Sequence, residues 1–219
     1  GWAAFDLNNN QDWLNDIPYG DLKAMIDPNT ADVTARVLEM LGRGNLSIDA
    51  QRFNRAMAYL RREQEPEGCW FGRWGVNYIY GTSGVLSALS LVAPQAHRLE
   101  IERGAAWLIQ CQNADGGWGE TCLSYDRPEL KGQGTSTASQ TAWALIGLIA
   151  AEPTIANLAQ RSIERGIHYL LETQRSDGTW DESYFTGTGF PGHFYLKYHL
   201  YLQHFPLTAL GRYQSRLNQ

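Results

Sequence analysis

The chain has 219 residues, a net charge of −5 and 12% aromatic side chains, with 8 Trp and 11 Tyr among them. Its length allows one domain or a large part of one, and its acidic balance argues against a nucleic-acid partner. The longest apolar run, Ala142–Ala151, is about half of the roughly 20 residues a transmembrane helix needs, no signal peptide is visible, and Cys69, Cys111 and Cys122 form neither a metal nor a disulfide pattern and suit a reducing compartment.

In chain order, helical periodicity predicts helices near 31–43, 48–64, 79–93, 98–112, 136–151, 157–173 and 192–204, separated by loops rich in Gly, Pro and Asp. No strand alternation stands out. Residues 6–30 and 113–135 lack periodicity, and a loop as long as the second is functional or packed against something. The helices at 48–64, 98–112 and 157–173 carry many charges and should face outward. Those at 31–43, 79–93 and 136–151 are smaller and more apolar, as in Ser83-GVLSALSLVA, and should form an inner layer. Alternating outer and inner helices describe an all-α fold, an α/α toroid, here open and short of a closed α6/α6 barrel. Its N-terminal edge should expose apolar surface.

Three segments repeat one pattern: Arg55-AMAYLRREQEPEGC-Trp70, Arg103-GAAWLIQCQNADGG-Trp118 and Arg165-GIHYLLETQRSDGT-Trp180. Each holds a basic residue, an aromatic-Leu pair, a Gln, a Gly and a Trp six residues after the Gln. Such periodicity marks an array of supersecondary units. The Arg-to-Gln stretch reads as an amphipathic helix ended by the Gly, which takes a left-handed conformation cheaply. The Trp then covers the next helix, its N–H seeking an acceptor, and the Gln amide ties the helix end to that neighbour. On these grounds alone the motif serves stability.

The motif resembles the QW repeat of triterpene cyclases. The likeness extends through Asp32-VTARVLEML, Phe71-GRWGVNYIYGT, Asp115-GGWGETC, Ser136-TASQTAWALIGLIA, Gly187-TGFPGHFYLKYHLY and Phe205-PLTALGRY, in order over residues 1–219. These look like the C-terminal third of a squalene–hopene cyclase. The chain opens without Met, on Gly1-Trp2, which reads as the end of a further repeat, and the family's acid motif DxDD occurs nowhere in the 219 residues. The resemblance therefore implies the C-terminal part of a catalytic barrel, residues 1–219, whose missing N-terminal part supplies the acid. It implies proton-initiated cyclisation of squalene to hopene or hopanol, no cofactor, a monotopic enzyme on the cytoplasmic face of a bacterial membrane, and a homodimer by analogy. An oxidosqualene or other class II terpene cyclase, a non-catalytic α/α-toroid binding module and a protein-prenylating subunit are the alternatives. The last would need a zinc site. His97, His168, His193, His199 and His204 show no ligand spacing, so no metal is expected.

Asp32 and Arg36 stand four apart at a helix start, with the Asp near the positive end of the macrodipole; spacing alone reads them as a surface cap and ion pair. The resemblance instead places this pair beside the catalytic acid. Relatives often carry His at the position of Arg36. Arginine does not deprotonate in proteins, so Arg36 orients an acid rather than relaying a proton. Tyr80 reads from the residues as a helix-start Tyr with its ring in the core, and from the resemblance as reprotonating the acid through water. Phe190, Phe194, Tyr198 and Tyr201 are spaced four, four and three, a stripe on one helical face that by itself is more often core than site. Cyclising a polyene creates carbocations, which a nucleophile would quench. Aromatic faces offer negative potential without nucleophilicity, about 0.5–2 kcal/mol per cation–π contact, aimed where charge develops. The resemblance has Trp74, Phe190, Phe194 and Tyr198 line the cavity, Tyr201 support it and Phe5 stand where relatives often have Tyr. It matches Tyr19 and Gly20 to the substrate-channel constriction, widened here by Gly20, although an ordinary Pro-Gly turn explains them equally.

Overall fold

The computed structural model describes residues 1–5, 11–18 and 25–218. Among the described residues the seven α-helices are α1 (Ala31–Arg43), α2 (Ala50–Arg62), α3 (Tyr78–Val92), α4 (Arg98–Gln110), α5 (Ala138–Ile155), α6 (Gln160–Thr173) and α7 (Tyr201–Leu217). The first six fall where periodicity places them. Helix α3 packs on α1 and α5, and α5 on α7, forming one row; α2 covers α1, α4 covers α3 and α5, and α6 covers α5. The inner members α3 and α5 are buried around most of their circumference, as helices apolar on all sides must be. Residues Ala138–Thr173 include a stretch apolar enough to cross a bilayer. Within it α5 is enclosed by its neighbours, so that hydrophobicity is spent on the core. The architecture is all-α, an arc of an α/α toroid.

The repeat explains how the outer layer is fastened. Trp70, Trp118 and Trp180 are almost wholly buried, and each donates its indole N–H to a Leu carbonyl ten residues back, in the helix that precedes it: Leu60 at 2.7 Å, Leu108 at 2.7 Å and Leu170 at 2.8 Å. Burying a Trp removes 150–250 Å² from water, an upper estimate of roughly 4–6 kcal/mol each. A Cβ on Gly104 or Gly166 would stand 2.7 Å from the ring of Trp70 or Trp118, so glycine lets the next outer helix close onto the indole. The Gln side chains add the tie: Gln64 donates to Gly68 O and Glu100 O, Gln112 to Gly116 O and Ser162 O. From the following helix, Arg103 and Arg165 donate back to the turn carbonyls of Glu65 and Pro66, and of Asn113 and Ala114. Gly1-Trp2 repeats the local pattern. Trp2 N–H donates to Thr34 Oγ1, as Trp70 does to Thr82 and Trp118 to Thr141.

The last predicted helix is not where the spacing puts it. Residues 187–196 form an antiparallel hairpin, β1 (Gly187–Phe190) and β2 (Phe194–Leu196), and the helix begins only at Tyr201. Phe190 precedes Pro191, which disfavours the α region, and Gly192 turns the chain at φ 76°. The glycines have a packing reason as well. A Cβ on Gly187 would meet the Tyr198 ring at 2.4 Å, and one on Gly189 the Phe194 ring at 2.3 Å. Phe190, Phe194, Tyr198 and Tyr201 therefore do not form a helical stripe. Two lie on the hairpin, one in the following loop and one at the start of α7.

Candidate active site

Asp32 sits in the first turn of α1 and is 2% exposed. It is not the surface partner of Arg36. One carboxylate oxygen accepts the N–H of Val33, and the other accepts the backbone N–H of Trp74 at 2.9 Å. Burial lifts its pKa above the usual carboxylate range, against the pull of those hydrogen bonds. Arg36 pairs instead with Glu39 at 3.3 Å, and Glu39 also binds Arg43 and, from α7, Arg212. Burial acts to raise the Glu39 pKa, but the three guanidinium groups outweigh it and hold the carboxyl below its ordinary value. The Arg36 guanidinium lies 5.5 Å from the ring centre of Tyr80, whose phenol burial pushes upward.

Asp32, Arg36, Trp74 and Tyr80 line a single apolar cleft of about 320 Å³ along α1. A second cleft of about 390 Å³ is bounded by Phe5, Met25, Ile26, Asp27, Arg73, Trp74, Gly189 and Phe190. Trp74 is the wall common to both. Phe5 meets Trp74 edge to face at 5.9 Å, and Phe190 meets Phe194 at 5.4 Å. Tyr198 packs on Tyr201 at 4.6 Å, Tyr201 on Trp143 at 5.8 Å, and Trp143 on Tyr80 at 4.9 Å. These ring contacts form three separate groups, Phe5 with Trp74, Phe190 with Phe194, and Tyr198 with Tyr201, Trp143 and Tyr80. Phe194, Tyr198 and Tyr201 border neither cleft, and Phe5 is 77% exposed, Phe194 42% and Tyr198 40%. Tyr19 and Gly20 lie outside the described residues.

The wall is held from several sides. Between Gly72 and Ile79, Asn77 Oδ1 accepts from Gly72 N, and Asp32 from Trp74 N. Thr186 O accepts from Val76 N, Thr188 N donates to Trp74 O, and Gln140 donates to Val76 O. Glu120, fully buried, accepts from Asn77 N and Ile79 N and so caps α3; Glu182 likewise accepts from Ser139 N at the start of α5. These carboxylates each follow a repeat Trp by two residues. At the corresponding place after Trp70 stands Gly72.

Sequence reasoning passed over Trp143, Tyr125, Glu39 and the Arg73–Asp27 ion pair at 2.7 Å. Trp143 carried one signal, a large ring within an inner helix of otherwise small and aliphatic residues. Glu39 carried a local one, Arg36 three residues before it and Arg43 four after it on the same helix. Tyr125 and the Arg73–Asp27 pair carry none, since their partners are distant in sequence. Among the described residues no three of His, Cys, Asp and Glu gather as metal ligands would.

Inner and outer helical layers beside an aromatic-lined cleft define an α/α-toroid protein. The family model described as squalene–hopene cyclase C-terminal domain matches residues 1–215. The chain belongs to that family. It is 60% identical to a dammaradiene synthase of Dryopteris crassirhizoma over 99% of this chain and 34% of that protein. It is 50% identical to a squalene–hopene cyclase of Alicyclobacillus acidocaldarius over 100% of this chain and 34% of that protein, and 47% identical to one of Zymomonas mobilis over 98% and 32%. The chain spans about a third of the length of these curated relatives. Among solved structures it resembles an ent-copalyl diphosphate synthase from Streptomyces platensis, with a TM-score of 0.61 at 23% identity over 85% of this chain and 34% of that one. It also resembles the type II terpene cyclase MstE from Scytonema, with a TM-score of 0.53 at 24% identity over 74% and 41%. At these identities the two structures speak to fold alone.

Proposed function

We propose that this chain forms one side of the reaction chamber of a proton-initiated cyclase that folds squalene into a polycyclic C30 hydrocarbon. The observation that carries the reading is the shared Trp74 wall. Asp32 and Arg36 lie on one side of it, and on the other the π faces of Phe5 and Phe190 stand beside the Asp27–Arg73 ion pair. The arrangement suits chemistry that starts at an acid and ends as a cation. Asp32 is a hydrogen-bonded holder of the Trp74 backbone, so its part is to position. Arg36, fixed by Glu39, faces the cleft as a permanent cation that orients an acid brought from outside these 219 residues. Tyr80 closes the space between them. The aromatic faces stabilise the migrating charge and offer it no nucleophile. The lipid solubility of squalene supports a membrane-surface location for the complete enzyme.

The names of the relatives support two products, a hopene and a dammaradiene. The test is to express the full-length polypeptide, supply squalene in detergent and analyse the extract by gas chromatography–mass spectrometry. A hopene or dammaradiene hydrocarbon is the expected outcome. Turnover of oxidosqualene with squalene untouched would transfer the chain to the oxidosqualene branch, and conversion of neither would defeat the cyclase reading.

A further inference from the structure

The loop at 113–135 is left without a task by the chemistry above, yet it reaches the site. It leaves the second repeat after Trp118 and carries Tyr125 to the connection between Trp70 and α3. The Tyr125 hydroxyl stands 2.9 Å from Gly72 O, 3.1 Å from Arg73 O and 2.8 Å from Gly75 O. A phenol has one proton to donate, so these three carbonyls share it, and burial keeps that proton on the oxygen. The Tyr125 ring meets Phe71 at 5.6 Å and stacks on Tyr195 of β2 at 5.9 Å, with 28° between the planes. The Tyr195 hydroxyl returns to the same loop by donating to Cys122 O at 3.2 Å. The loop is anchored at two further points, by Asn77 donating to Ser124 Oγ and by Lys131 pairing with Glu65. One side chain therefore touches both walls of the second cleft, the backbone under Trp74 and the strand beside Phe190.

We propose that Tyr125 is a positioning residue whose hydroxyl pins the Gly72–Gly75 backbone and whose ring spaces the β1–β2 hairpin from it, so that Tyr125 sets the separation of the Trp74 and Phe190 walls. The catalytic consequence rests on the cyclase reading; the placement does not. Without the hydroxyl, three carbonyls lose their common donor and the segment under Trp74 loosens. The stack on Tyr195 persists, so the change is local. A wider, softer chamber lets a folded polyene relax before its last rings close.

The test is Tyr125→Phe, which keeps the ring and removes only the hydroxyl. Ile163→Val, trimming a buried methyl on the outer helix α6, serves as a stability control. Hydrogen–deuterium exchange is followed by mass spectrometry on peptides spanning 72–79. Exchange at the Trp74 and Val76 amides is expected to rise about tenfold, the effect of losing one good hydrogen bond, with other peptides unchanged and no such rise in the control. In the full-length polypeptide the same variant is expected to lower kcat with little change in KM and to raise the share of partly cyclised products from squalene. Unchanged exchange at 72–79, or a rise spread evenly over all peptides, would overturn the placement. A local rise with unaltered kcat and product ratio would overturn the role in shaping the chamber. Failure of the unmutated polypeptide to cyclise any polyene would defeat the cyclase reading alone, because the exchange result judges the placement by itself.

Discussion

The backbone N–H of Trp74 donates to the carboxylate of Asp32 at 2.9 Å across 42 residues of sequence. This bond joins the start of α1 to the loop that walls both clefts, and it makes the protonation of Asp32 a matter of stability as well as of electrostatics.

Asp32 has a raised pKa because of burial. Its folded value lies above its unfolded value, so ionisation is costlier in the folded chain. The contribution is fully present below the unfolded pKa of about 3.9 and is lost as pH rises through the folded pKa. Asp32→Asn removes this titration while keeping an acceptor for Trp74. The difference in unfolding free energy between variant and parent should move in favour of the variant from about pH 4 upward and level off above the folded pKa. Urea titrations at a series of pH values measure it. The comparison isolates Asp32 from Glu120, whose pKa burial also raises. A pH-independent difference would refute it.

The division between scaffold and chamber aromatics predicts two unlike mutants. Trp118→Ala removes a buried ring and its bond to Leu108 O. It should cost roughly 3–5 kcal/mol of stability, seen as a lower unfolding midpoint, with the product pattern of the full-length polypeptide unaltered. Phe194→Ala takes away a half-exposed ring. It should cost under about 1.5 kcal/mol yet slow cyclisation and release partly cyclised products. If both variants changed stability alone, the division would fall.

The Gln ties differ along the array. Gln112 donates to two carbonyls, in its own turn and in α6, whereas Gln174, half-buried like Gln112, donates only to Gly178 among the described residues. Gln112→Ala should cost about 1–3 kcal/mol, the penalty for stranding partly buried carbonyls, and Gln174→Ala a few tenths. Chemical denaturation of the two variants side by side checks the order, and equal costs would contradict it.

The 219-residue chain by itself is expected to yield no cyclised product from squalene, because no DxDD segment occurs in it. Incubation in detergent followed by mass spectrometry decides the matter; product above a heat-killed control would count against it.

Much of this protein is legible in its residues because the information is local and repeated. The helix at Ala31–Arg43 has one amphipathic face. Helices α3 and α5 are apolar all round. The Gln-to-Trp spacing recurs with one Gly turn each time. Periodicity and turn chemistry fix such elements without knowledge of what lies opposite. Trp74, Phe190 and Tyr80 could be selected because their neighbours form long specific motifs.

Tertiary structure alone decided the remainder. The spacing of Phe190, Phe194, Tyr198 and Tyr201 matches a helix by number; Pro191 and Gly192 interrupt it locally, but only packing lays the rings of Tyr198 and Phe194 on Gly187 and Gly189 and closes the hairpin. Asp32 and Arg36 satisfy the spacing of an ion pair, but Trp74 N–H reached one and Glu39 the other. Tyr125 has no local signature, since its three acceptors lie 50–53 residues away. A sequence fixes which backbone conformations are cheap and which faces must be buried. It does not say which distant donor meets which acceptor, because that choice is made only when packing brings the loops together and desolvation makes an unpaired group costly.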